Sequence, residues 1–136
     1  MRLDSGLRSA YWALRVGLGV GPFLAGLDKF FNILADWGMY LSPLAEKVLP
    51  VSPSVFMRGV GVVEMAVGLL LLTGFVRIGA YVVMAWLLGI ALNLLSTGMF
   101  RDLAVRDVEI AIGAYALARL TEVRQAFGRF ENAVGR

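Results

Sequence analysis

The chain has 136 residues, enough for one domain. Hydrophobic residues make up 59% and charged residues only 17%, with a mean hydropathy of +0.75, so there is too little polar sequence to clothe a water-soluble domain. Without a cysteine or a histidine, the chain cannot form disulfides, Cys-x-x-Cys redox pairs, thiolate or imidazole metal sites, imidazole-ligated haem or a histidine proton shuttle.

A bilayer span needs about 20 apolar residues, because the hydrocarbon core is about 30 Å thick and a helix rises about 1.5 Å per residue. Four stretches fit: about 8–29, 54–73, 78–95 and 103–120. They are read as helices, since a lipid-exposed strand leaves backbone groups unpaired outside a closed barrel. The first carries Arg15, lacks a clear small-residue cleavage site after it and is followed by three more runs, so it is read as a retained span and not a signal peptide.

Between the first two spans, residues 30–53 form a long loop with Pro43, Pro50 and Pro53. Its middle, from Asp36 to Val48, mixes Trp37, Met39, Tyr40, Leu41 and Leu44 with Asp36, Glu46 and Lys47, which predicts a short interfacial helix with Trp37 and Tyr40 at headgroup depth. The link Gly74-Phe75-Val76-Arg77 is short enough to make the second and third helices antiparallel neighbours. After the fourth span, residues 121–136 turn charged and amphipathic and are expected to extend that helix out of the membrane. The fold class is therefore all-α: an integral membrane four-helix bundle with a long first extracytoplasmic loop, all within one domain, 1–136.

The net charge of +3 and pI near 9.7 do not indicate nucleic acid, because the arginines sit mostly at helix ends, against lipid headgroups. Arg2, Arg8, Arg77, Arg119, Arg124, Arg129 and Arg136 fall on one side, against Lys29, Lys47, Arg58, Arg101 and Arg106 on the other. The richer side is expected to be cytoplasmic, which places both termini there.

An ionisable residue inside a span costs about 2.5–3.5 kcal/mol on insertion scales, so it should face protein or water and have a partner. Arg15 lies in helix one, Glu64 near the middle of helix two, Asn93 in the outer part of helix three, and Arg106, Asp107 and Glu109 in the outer part of helix four. Asp28 and Lys29 end helix one, and Arg58 lies at the outer end of helix two. A long arginine reaching up from Arg15 is expected to meet Glu64. Asp28, Lys29, Arg58, Asn93, Arg106 and Asp107 are expected to form a second polar layer beneath the loop. Two readings follow: a polar pocket that opens outward and holds a headgroup, quinone or small anion, or ion pairs that only cross-link the helices and fix their register.

Gly17 and Gly21 form a G-x-x-x-G spacing with Gly19 between them, and Gly61 and Gly68 line part of helix two; close helix packing is expected at these glycines. Pro22 is expected to kink helix one. Trp12, Trp86, Tyr11, Tyr81 and Tyr115 are read as interface anchors or lipid-facing bulk.

Several of these residues fall into a known pattern. Arg15 followed by Phe23-Leu24-Ala25-Gly26-Leu27-Asp28-Lys29, then Glu64-Met65-Ala66-Val67-Gly68 with Gly74-Phe75 and Arg77, then Arg106-Asp107 ahead of a Gly/Ala-rich run, resembles the DoxX family of small bacterial membrane proteins. The resemblance covers about residues 8–120. Where many members carry a histidine late in helix three, this chain reads Leu92-Asn93-Leu94-Leu95-Ser96. The resemblance implies a four-helix bundle in the bacterial cytoplasmic membrane, associated with oxidoreductase systems such as thiosulfate:quinone oxidoreductase or a mycobacterial membrane-associated oxidoreductase complex.

The expected function is a non-catalytic membrane subunit of an oxidoreductase or electron-transfer assembly. It would partner a membrane protein or a second copy of itself, with no resident cofactor unless a quinone occupies the pocket. The alternatives are a proton-coupled transporter using Glu64 and Asp107, or a purely structural subunit of a respiratory or photosynthetic complex. The sequence shows no nucleophile constellation, phosphate loop or metal-ligand set, so an autonomous enzyme is not expected.

Overall fold

The computed structural model describes residues 5–135, and every regular element within them is helical. Helix α1 spans Ser5–Asp28 and continues through Pro22. A 3-10 turn, Trp37–Tyr40, and a short helix α2, Pro43–Val48, make up the long connection. Helices α3 (Pro53–Thr73), α4 (Val76–Ser96) and α5 (Arg101–Val134) complete the chain.

Local chemistry sets these limits. Ser42 and Ser52 cap α2 and α3, their hydroxyls accepting from the Ala45 and Val55 amides, and Pro43 and Pro53 occupy the first turns, where a missing N–H costs nothing. Gly74 ends α3 at φ 126° and Gly98 turns the chain between α4 and α5 at φ 73°, conformations that glycine adopts freely. The interfacial helix expected from Asp36 to Val48 is thus two pieces: extended Leu41 and Ser42 interrupt it so that Pro43 can begin a new helix.

Three of the described helices, α1, α3 and α4, are long and apolar enough to cross a membrane. They turn Val16, Val20, Leu24, Val62, Leu69, Leu88 and Leu92 outward. The fourth expected span lies inside α5, which does not meet that measure, because Arg101, Asp102, Arg106, Asp107 and Glu109 crowd its first turns and Arg119, Glu122 and Arg124 follow soon after. Its 34 residues make a rod about 50 Å long, and the predicted extension past residue 120 is helical to Val134.

The helices pack as two close pairs, α1 with α3 and α4 with α5; the pairs meet each other through slighter contacts between α3 and α4 and between α1 and α5. Glycine makes the first pair: a Cβ on Gly26 would lie 2.5 Å from the Gly61 carbonyl oxygen, and one on Gly68 would lie 2.5 Å from that of Gly19. These matches run in opposite chain directions and fix an antiparallel register. The expected Gly17–Gly21 contact does not form. A Cβ at either position would meet nothing within 4 Å, because that face of α1 looks into open space between the pairs. Alanine makes the second pair, with Ala104, Ala111, Ala114 and Ala118 buried along α5.

A core cluster of Tyr11, Leu18, Leu71, Val76, Val83, Ala114 and Leu117 closes one end of the bundle, and a smaller one around Ala91, Leu94 and Ala104 lies near the loop. Tyr11, expected at an interface, is 6% exposed with the Arg124 guanidinium 4.5 Å over its ring. Tyr81 donates to Glu122, which also pairs with Arg77 and Arg119, so these arginines gather at one end as expected; Arg2 and Arg136 lie outside the described residues. Trp12 and Tyr115 are exposed, as bulk facing lipid would be.

Candidate functional site

Between the helix pairs lies a cavity of about 860 Å³, within the range of small-molecule sites. Its walls are largely apolar. α1 contributes Gly17, Gly21, Pro22 and Ala25, and α4 contributes Val83, Trp86, Gly89 and Ile90. Its polar groups come from Lys29, Glu64, Asn93, Arg106 and Asp107, and the turn carrying Trp37 and Tyr40 lies across it.

The central contact is an ion pair. Lys29 Nζ lies 2.6 Å from Glu64 Oε2, and both side chains are almost wholly buried. The Trp37 ring covers the ammonium, 3.8 Å from Nζ to the ring centroid, and Trp86 Nε1 donates to the other Glu64 oxygen at a long 3.4 Å. Trp86, expected as an interface anchor or lipid-facing bulk, is therefore a wall of the cavity.

Asp28, expected to share the pocket, organises the loop above it. Its carboxylate accepts from the Ile33 and Leu34 amides and from Trp37 Nε1, at 3.0, 2.8 and 2.9 Å. These bonds fold the chain back over the end of α1 and set the Trp37 ring on Lys29. Asn93 clamps the loop from the other side: its amide donates to the Tyr40 carbonyl at 2.8 Å, and its oxygen accepts from the Ser42 amide at 3.2 Å. Tyr40 in turn packs edge-on against Phe100, which joins the loop to the start of α5.

Asp107 is buried beside the cavity and pairs with its exposed neighbour Arg106 at 3.3 Å. Arg58, expected in the polar layer, is exposed and does not line the cavity, and Glu109, the other polar residue expected in the outer part of the fourth span, is exposed and outside it too. The expected Arg15–Glu64 contact is also replaced. Arg15 donates to the Leu71 and Leu72 carbonyls at 2.9 and 3.3 Å, with its guanidinium 4.7 Å from the Trp12 ring. The antiparallel register sets Arg15 level with the last turns of α3, about two turns or roughly 11 Å from Glu64 along that helix. Arg15 thereby caps carbonyls that the end of α3 leaves without an amide partner.

Among the described residues every buried side-chain nitrogen and oxygen has a hydrogen-bond partner, and no group of three acidic side chains is placed to share a metal ion. The arrangement offers a polar end for a head group and an apolar space for a tail.

A family model named DoxX matches residues 10–96, well over half of the chain. The chain belongs to the DoxX family. The match runs from α1 to the end of α4 and takes in Lys29, Glu64 and Asn93. Arg106-Asp107, part of the sequence resemblance to DoxX proteins, lies beyond it. Neither a curated protein nor a solved structure matches the chain significantly. With three helices able to cross a bilayer, this DoxX protein is a multi-pass membrane protein.

Proposed function

We propose that the protein is a non-catalytic membrane subunit that holds an amphiphile the size of a quinone or lipid between its helix pairs, in association with an oxidoreductase or electron-transfer system. The observation carrying the binding role is the cavity itself: apolar walls ending at Lys29, Glu64 and Asp107. The link to oxidoreductases rests on the family resemblance. The setting is a bacterial cytoplasmic membrane crossed four times, with both termini cytoplasmic and a membrane protein or a second copy as partner. The fourth crossing is supported by α5, whose surface over 103–120 presents Val105, Val108, Ile112 and Tyr115 and whose buried stripe lies on α4.

Gly21→Leu supplies the test. A Cβ at Gly21 meets nothing within 4 Å and Gly21 lines the cavity, so a leucine there is expected to fill the space, and leucine favours the helix over glycine by nearly 1 kcal/mol. The protein is purified in mild detergent and its extracted lipids and quinones are analysed. A co-purifying amphiphile present with wild type and absent with Gly21→Leu is expected; identical extracts from both proteins refute the binding role.

Proton-coupled transport is the second reading, favoured by two buried carboxylates, Glu64 and Asp107, facing one cavity. Substrate uptake by protein-containing liposomes, lost in Glu64→Gln, would establish it; equal uptake with empty liposomes removes it.

A further inference from the structure

The charges around the cavity come in matched pairs. Lys29 is joined to Glu64 at 2.6 Å and Arg106 to Asp107 at 3.3 Å. Asp28, the remaining buried carboxylate nearby, is turned away and taken up by loop amides and Trp37. Two cations and two anions therefore serve the polar end, and its formal charge is zero.

We infer that the cavity selects an uncharged amphiphile, whose head hydrogen-bonds without carrying net charge, over an anionic or cationic one. The inference rests on the binding role proposed above and names the class of occupant. A charged head entering this space would need a free counter-charge to offset its lost hydration, and burial of an unpaired charge in a poorly solvated interior is strongly unfavourable. Neither cation at the polar end is free to serve an anion: the Lys29 ammonium is engaged by Glu64 on one side and covered by Trp37 on another, and the Arg106 guanidinium, although largely exposed, is paired with Asp107. A neutral head meets no such penalty. Ammonium and amide N–H groups at Lys29 and Asn93 can donate to it, and the carboxylates of Glu64 and Asp107 can accept from it. The apolar walls, with no side chain at Gly17, Gly21 and Gly89, leave room for its tail.

The same pairing predicts how selectivity can be changed. Removing Glu64's charge frees Lys29 and leaves the cavity with a net positive charge; removing Asp107's charge does the same through Arg106. Both variants should then accept an anionic head.

The test uses the full chain, delipidated and moved from detergent into a detergent-free peptide scaffold so that no other amphiphile competes, with three probes of similar tail length: a decyl-substituted benzoquinone, dodecyl phosphate and dodecyltrimethylammonium. Binding is read by native mass spectrometry and by thermal shift. Wild type should bind the neutral probe at least about tenfold tighter than either charged probe, and Gly21→Leu should abolish that binding. Glu64→Gln and, separately, Asp107→Asn should gain about tenfold for dodecyl phosphate. Because Asp107→Asn leaves the Lys29–Glu64 pair intact, it reports on selectivity even if Glu64→Gln folds poorly. Wild-type binding of a charged probe as tight as the neutral one, lost in Gly21→Leu, overturns the selectivity and leaves the cavity role standing. No anion gain in either variant also overturns it. Failure of all three probes to bind overturns both.

Discussion

Gly26 and Gly61 stand backbone to backbone: a Cβ on either would lie 2.5 Å from the other's carbonyl oxygen. Since the obstacle is main chain, it cannot rotate away. Gly26→Ala or Gly61→Ala should push α1 and α3 apart and cost about 1–3 kcal/mol, as overpacking does. Gly17→Ala should be neutral or slightly stabilising, since its Cβ has open space and alanine favours the helix by up to about 1 kcal/mol. Thermal unfolding in one detergent orders the three variants; equal melting temperatures for Gly17→Ala and Gly26→Ala would contradict the packing described.

The Lys29–Glu64 pair should behave as a unit. Either Lys29→Met or Glu64→Leu strands a buried charge and should cost about 3–5 kcal/mol. The double variant strands none and should cost clearly less than the sum. A double-mutant cycle from unfolding measurements reads the coupling, and strict additivity would mean the two charges do not depend on each other.

Arg15→Met should loosen the end of α3. It removes charged donors from the Leu71 and Leu72 carbonyls, interactions worth about 1.5–3 kcal/mol as a class. Hydrogen exchange should quicken at Thr73, Gly74 and Phe75 and stay unchanged in the middle of α3. Unaltered exchange at those three amides would remove the capping role.

Asn93→Leu should release the loop. It deletes the bonds to the Tyr40 carbonyl and from the Ser42 amide, together about 1–3 kcal/mol. Faster proteolysis within residues 37–45 is the expected result, with cleavage elsewhere unchanged. A loop as resistant as wild type would show that Trp37 and Tyr40 hold it without help from Asn93.

Much of this architecture was legible because lipid imposes simple rules. Long apolar runs gave α1, α3 and α4 nearly to their ends, and the cost of a charged or strongly polar group in oil marked Lys29, Glu64, Asn93 and Asp107. Partner choice was not legible from depth alone. Arg15 and Glu64 look compatible until the register is known, and the register is written in glycines: Gly19 and Gly26 share a seven-residue spacing with Gly61 and Gly68. The overlapping Gly17–Gly21 spacing obscured that signal, since both patterns lie on one helix and only a three-dimensional neighbour tells them apart. Trp37 was legible as an aromatic at the surface. Its two roles, toward Asp28 and Lys29, depend on a turn that no periodicity encodes.

The slight contact between the two helix pairs has a thermodynamic consequence. On the binding role proposed above, an amphiphile seated between the pairs becomes part of the bundle's interior and raises stability with the logarithm of its concentration, so the melting point depends on what surrounds the protein. Detergents differing only in chain shape should therefore act on this protein as unequal ligands, and the membrane's own composition would tune how firmly the two halves hold together.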